Sequence, residues 1–198
     1  EYKPGRVIFY EGSPPLAVYC LRSGSVKLYK TSRKRDEQVI RLLGPGEIIG
    51  CRALLSEEPF AATAETVVKS IICTIPKATL FDILKESPEQ NLRLLKKLSI
   101  ELRISEELLL SRTQESVLQR TAHFLLYFYD SPTSTGEGNT PLSIPLKRKD
   151  LAQLIGTSPE TLSRTLHELA SREILTVNRS QILIKDFKAL QYIARRLI

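Results

Sequence analysis

Cysteine and histidine are scarce in this chain, and their scarcity removes most site chemistry at the outset. Three cysteines (Cys20, Cys51, Cys73) with no CxxC pair give neither a disulfide framework nor a structural zinc site. Cys20 and Cys73 lie inside apolar, strand-like runs, so both are expected to pack in a core. No nucleophile–base pair, metal cluster or phosphate-cradling loop is legible, which argues against an enzyme. Long apolar runs are missing as well. The longest, Phe124 to Tyr129, falls far short of the roughly 20 residues a membrane helix needs. No signal peptide is legible, so no membrane partner and a cytoplasmic location are expected. The chain opens at Glu1 rather than methionine, so a preceding segment is expected.

What the chain does have is charge, unevenly placed. The net charge is +7 over 198 residues. Residues 147–198 carry 10 basic against 5 acidic residues, whereas 76–146 carry 8 against 9. The basic end is where phosphates would be met.

That end also holds the most telling stretch. The apolar spacing of Leu151, Leu154 and Ile155 predicts a short amphipathic helix over Lys147–Ile155, and Gly156 permits a sharp turn after it. A second helix follows. Thr157 with Glu160 fits a capping box, and Ser158 before Pro159 fits an N-cap with a first-turn proline. Leu162, Leu166 and Leu169 share one face by the 3.6-residue period. Glu160, Ser163, Arg164 and His167 share the other. A leucine-backed helix with a short, basic-tipped polar face suits the major groove of DNA. Ile174–Val177 and Ile182–Ile184 flank Asn178-Arg179-Ser180-Gln181 as a small hairpin, a wing, and Asp186 caps a final helix.

Residues 1–75 read as all-β, with runs Val7–Tyr10, Ala17–Leu21, Ser25–Thr31, Gln38–Leu43 and Thr63–Ile75 punctuated by glycine and proline. The order of Gly5-x-x-Ile8-x-x-Glu11-Gly12, Val18 to Val26 around Gly24, and Gly44-Pro45-Gly46-Glu47-Ile48-Ile49-Gly50 resembles the cyclic-nucleotide-binding β-roll. With the helix-turn-helix downstream, nearly the whole chain resembles a Crp/Fnr-family transcription regulator. The expected fold is α+β: an antiparallel, jelly-roll-like β-roll over 1–87, a long dimerisation helix over 88–112, and a winged helix-turn-helix over 113–198.

Between roll and winged unit, Pro76–Leu84 predicts a short helix, and Pro88 opens a long one to about Leu110. Leu95, Leu102 and Leu109 repeat every seven residues, with Leu92 and Leu98 widening the stripe, so the helix is expected to self-associate. The resemblance implies a homodimer on double-stranded DNA in contact with RNA polymerase. Gln114–Tyr129 reads as a further helix whose Phe124, Tyr127 and Phe128 enter the core, and Ser131–Thr140 as a loop.

Departures from the family bear on the effector. Cyclic-AMP-binding members hold the ribose with a glutamate after the glycine matching Gly50, and the phosphate with an arginine followed by serine or threonine. Here these positions are Cys51, Ala61 and Ala62, and Arg52 stands at the wrong offset. A buried phosphate without a cation is costly, so cyclic AMP is not expected to bind. An iron–sulfur centre of the fumarate-nitrate type needs more thiolates than three scattered cysteines supply. Haem stays open: His123 and His167 both lie outside the roll, so iron would take a cysteine or another roll ligand. Cys51 stands at the pocket mouth by resemblance, and an inert role is expected for it over redox sensing. The pocket candidates are therefore Gly50, Cys51, Arg52, Ala61 and Ala62. The DNA-binding candidates are Glu160, Ser163, Arg164, Ser158, Thr161 and His167, with Lys147 and Arg179 on phosphates. The resemblance further implies TTGA-like half-sites in an inverted repeat, because Ser163 stands where the fumarate-nitrate branch has serine. The competing class is a small-molecule, haem or redox-sensing module with vestigial DNA binding.

Overall fold

A computed structural model describes residues 1–32, 36–129, 142–178 and 181–195. Among the described residues, seven strands build the N-terminal roll: β1 (Val7–Phe9), β2 (Ala17–Ser23), β3 (Val26–Thr31), β4 (Glu37–Leu43), β5 (Ile48–Ile49), β6 (Thr63–Thr66) and β7 (Ile71–Pro76). They form two antiparallel sheets, ordered β1-β6-β3-β4 and β5-β2-β7. Phe9, Leu21, Val26, Leu43, Ile49, Phe60 and Ala64 fill the space between them.

The run Thr63–Ile75 is two strands, not one, because the chain changes sheets at Ser70. This serine is fully buried, and its hydroxyl accepts from Ser25 N–H (3.2 Å) and donates to the Val68 carbonyl (2.9 Å). Gly24 faces it with φ +94°, where an added Cβ would lie 2.2 Å from Ser70 Oγ. Only glycine fits that crossing.

Strand alternation separates two faces of β2. Tyr19 and Leu21 point to the roll interior, whereas Val18 packs outward with Cys51, Leu54 and Leu80. The outward group belongs with α1 (Cys51–Ser56), a short helix not legible in the sequence, and α2 (Lys77–Glu86). Of the two strand cysteines expected in a core, Cys73 is exposed and Cys20 only half-buried. Both stand on this outer face of the sheet, midway along the ladder and one same-face pair beyond Val18 and Ile75.

Pro88 opens α3 (Pro88–Gln114), which runs past the expected Leu110. Ser87 caps it, accepting from Gln90 N–H at 3.3 Å. None of its residues is buried in the single chain. The roll side holds through Leu94, through Asn91 donating to the Leu84 carbonyl (2.7 Å), and through Glu101 paired with Arg41 (3.3 Å). The other side leaves Leu92, Leu95, Leu102 and Leu109 at least 60% exposed. Leu98, grouped with that stripe by spacing alone, is half-buried instead.

The C-terminal unit comprises α4 (Val117–Tyr129), β8 (Leu142–Ser143), α5 (Arg148–Ile155), α6 (Pro159–Ser171), β9 (Leu175–Asn178), β10 (Gln181–Ile184) and α7 (Phe187–Ala194). The β9–β10 pair is the expected wing hairpin, and β8 adds an unforeseen third strand, giving the order β8-β10-β9. Leu125, Phe128, Leu151, Ile155, Leu162, Leu166, Leu169 and Leu190 form one core. Tyr127 departs from expectation, being 61% exposed rather than packed among them. The expected loop Ser131–Thr140 lies outside the described residues.

The winged unit docks on the roll through α5 and the edge strand β4. Gln153 does what a neighbouring strand would do: its Oε1 accepts from Val39 N–H (2.9 Å) and its Nε2 donates to the Glu37 carbonyl (2.6 Å). Capping an open edge this way satisfies backbone groups and blocks stray strand pairing. Beside it, the Lys27 ammonium, its side chain 11% exposed, has Glu65, Asp150 and Glu37 at 3.5, 3.7 and 3.8 Å. Desolvation offsets most of the Coulombic gain of such a cluster, so it specifies the fit of the two units more than it stabilises them.

Candidate nucleic-acid interface

The angle between α5 and α6 depends on one glycine and one arginine. Gly156 ends α5 at φ +77°, its N–H returning to Gln153. Arg120 of α4 then clamps the turn, donating to the carbonyls of Ile155 (2.9 Å) and Gly156 (3.2 Å) and to that of Glu115 (2.5 Å). Sequence reasoning missed Arg120. The available signal was a single arginine within the otherwise mostly uncharged helix Val117–Tyr129.

Of the two possible caps for α6, Ser158 is used. Its hydroxyl accepts from Thr161 N–H at 3.2 Å, and Pro159 takes the first turn, where no N–H is missed. The Thr157–Glu160 box is not formed, since Thr157 donates its N–H back to the Ala152 carbonyl at 2.9 Å. Glu160 is held below the usual carboxylate range by its own backbone N–H, then by the Ser158 hydroxyl, with Arg164 adding to both. It therefore stands as a charged acceptor at the positive end of the helix.

Ser158→Ala removes a cap worth about 0.5–2 kcal/mol. The expected outcome is a lower midpoint in denaturant unfolding, together with a Glu160 carboxyl titration moved back toward its ordinary value. A depressed carboxyl stabilises above its unfolded value near 4.5 and loses that contribution as pH falls through the folded one. The difference between wild type and variant should thus shrink below pH 4.5. A difference that is constant with pH would exclude the Ser158–Glu160 link.

The faces of α6 divide as the periodicity requires. Leu162, Thr165, Leu166 and Leu169 are buried; Glu160, Ser163, Arg164 and His167 are exposed on the opposite face. Thr161 sits at the boundary, accepting from the Arg164 guanidinium at 3.3 Å and so steering it along the helix. Lys147 is exposed at the N-cap of α5, on the flank of the same unit. Arg179 lies outside the described residues. The structure thus brings Ser158, Glu160, Thr161, Ser163, Arg164 and His167 onto one presented surface.

The pocket candidates form no comparable constellation. Gly50 caps α1, and an added Cβ there would meet Phe60 at 3.0 Å. Phe60 stacks on Phe9 with ring centroids 3.8 Å apart, closing the roll from within. Cys51 is buried, and burial pushes its thiol up to about 11. Arg52 turns outward to Glu58 at 3.3 Å. Ala62 is buried and Ala61 half-buried, so no cation faces the place of the alanines from these positions. No cluster of His, Cys, Asp and Glu among the described residues is arranged to hold a metal. Among them, too, no helix is long and apolar enough to cross a membrane.

Comparison with known proteins follows the same division. A family model for the cyclic nucleotide-binding domain matches residues 1–87, and one for the Crp-like helix-turn-helix domain matches 119–193. The cyclic AMP receptor protein of Thermus thermophilus is 30% identical over 98% of this chain and 86% of its own length. The anaerobic regulatory protein of Pasteurella multocida is 28% identical over 93% of this chain and 67% of its own. In fold, the chain superposes on FixK2 from Bradyrhizobium japonicum with a TM-score of 0.86 at 23% identity, covering 97% and 94% of the two chains.

Proposed function

The chain belongs to the Crp/Fnr family of transcription regulators, with a helix-turn-helix DNA-binding domain, and from that premise we propose that it works as a homodimer reading an inverted repeat of TTGA-like half-sites. The observation that carries this reading is the presented face of α6. Four polar side chains project from a helix whose opposite face is locked by three fully or nearly buried leucines. Such a helix enters a major groove as a rigid unit.

Chemistry assigns the roles. The Arg164 guanidinium can donate two hydrogen bonds to guanine O6 and N7. The Glu160 carboxylate accepts from a cytosine or adenine amino group, and Ser163 contacts a thymine. Ser158, Thr161 and His167 line the same face, while Lys147 and Arg179 neutralise phosphates. Pro159 leaves no room for the extra arginine of the cyclic-AMP branch, which disfavours TGTGA sites. Residues 1–87 act as the sensor-derived roll, 88–112 as the dimer helix and 113–198 as the reading unit, in contact with RNA polymerase at promoters. A two-fold protein then matches a two-fold site, with recognition helices about 34 Å apart.

The effector is not cyclic AMP in this reading. Cys51, Ala61 and Ala62 replace the polar ligands, Arg52 is engaged by Glu58, and Phe60 with Phe9 occupies the interior. Calorimetry with cyclic AMP should therefore return no heat of binding at millimolar ligand. Micromolar binding would mean that other residues supply the phosphate cation. For DNA, affinity should fall steeply and log-linearly with salt, as counterions are released from each neutralised phosphate. A flat salt response would instead favour a binding module with a vestigial DNA face.

A further inference from the structure

The outer face of the β5-β2-β7 sheet carries an arrangement that the DNA-binding function does not use. In the β2–β7 ladder Cys20 stands directly opposite Cys73. Directly opposed residues of an antiparallel pair point to the same face. Here that face is the outer one, shared with Val18 and Ile75 rather than with the interior pair Leu21 and Ile72. Both thiols are free, and their exposure is graded: Cys73 is exposed and Cys20 half-buried beside it.

We propose that Cys20 and Cys73 form an oxidisable cross-strand dithiol, closing to an intramolecular disulfide when the protein meets a peroxide. Register alone sets the reach. Opposed Cβ atoms lie about 4.5–5.5 Å apart, and a disulfide needs about 3.5–4.5 Å. The strands must draw together by roughly 1 Å, which two hydrogen-bonded neighbours can do with local distortion. A bond made under that strain is easily reduced, so the site cycles rather than locks.

The order of events follows exposure. The Cys73 thiolate attacks one peroxide oxygen, the O–O bond breaks, and Cys73 becomes a sulfenic acid as the other oxygen leaves as water. The Cys20 thiolate then attacks the Cys73 sulfur and expels the hydroxyl as a second water. Two electrons pass from the two thiols to one peroxide. Cys51 takes no part: it is buried against Val18, Leu54 and Leu80, where a thiolate is disfavoured.

The test treats the reduced full chain with stoichiometric hydrogen peroxide and counts thiols by alkylation after unfolding. The count should fall from three to one per chain, with a single peptide joining Cys20 to Cys73 within one chain, and dithiothreitol should restore all three. Cys20→Ser should leave Cys73 as a sulfenic acid captured by dimedone, and Cys73→Ser should leave both remaining thiols reduced. A count that stays at three, a link between two chains, or a disulfide involving Cys51 would overturn the assignment. So would a sulfinic acid at Cys73 in the wild type, because it would mean that Cys20 cannot reach it.

Discussion

Leu102→Lys should convert the protein from a dimer to a monomer at micromolar concentration and abolish binding to an inverted repeat. Leu102 is the central member of the heptad series Leu95, Leu102, Leu109, and it is 62% exposed in the single chain. A seam of leucines open to water on a helix with no buried residue is apolar area awaiting a partner. Burying one leucine contributes about 1.5–3 kcal/mol, and two-fold symmetry places the substitution on both sides. The loss is then about 3–6 kcal/mol, or about 10²–10⁴ in the dimer dissociation constant. A lysine ammonium left in the seam adds its own desolvation cost. The roll contacts of α3 run through Leu94 and Glu101 instead, so unfolding of the roll should be unchanged. Sedimentation showing the wild type itself as a monomer at this concentration would refute the dimer.

Arg164→Ala is expected to have an effect of similar size, through different physics. One bidentate arginine–guanine contact discriminates by about 1–3 kcal/mol. A dimer uses two, so affinity for the specific repeat should drop by about 2–6 kcal/mol, while binding to unrelated duplex changes little. Lys147→Ala should act the other way, weakening all sequences alike and lowering the salt slope by about one phosphate per subunit. The contrast is readable in one competition experiment with specific and random duplexes. Equal losses on both duplexes for Arg164→Ala would assign the guanidinium to phosphate instead of base. The Thr161 contact at 3.3 Å adds a geometric expectation. Thr161→Ala should weaken specific binding more mildly, by freeing the arginine rather than removing it.

Local signals in the sequence located α6, the second helix of the helix-turn-helix, with little loss. Leu162, Leu166 and Leu169 follow the helical period, Ser158-Pro159 marks a start, and Gly156 allows the turn, so each cue is contained within a few residues. The long helix was legible for the same reason, from Ser87-Pro88 and the leucine repeat. What escaped depends on distant contacts. Arg120 lies 35 residues from Ile155, whose carbonyl it holds, and Gln153 lies 114 residues from Val39. No periodicity reports such pairings.

The roll shows a second kind of failure. Apolar, β-branched composition marked Thr63–Ile75 as strand without showing that the chain changes sheets at Ser70. The same composition placed Cys73 in a core, although α1, α2 and Leu94 of α3 gather on that face of the sheet around Val18 and leave Cys73 exposed. Tyr127 escaped for a related reason. Its position beside Phe128 suggested burial, but helical rotation turns it out of the core, where the nearby Glu47 carboxylate adds to partial burial in raising its phenol.

If α6 reads base sequence as part of a two-fold protein, selection of bound duplexes from a random pool will show it. The expected product is an inverted repeat of TTGA-like half-sites spaced by about one helical turn, with the guanine position randomised when the pool is selected by Arg164→Ala. Recovery of no repeat by the wild type, or of the same repeat with the guanine intact by Arg164→Ala, would contradict it.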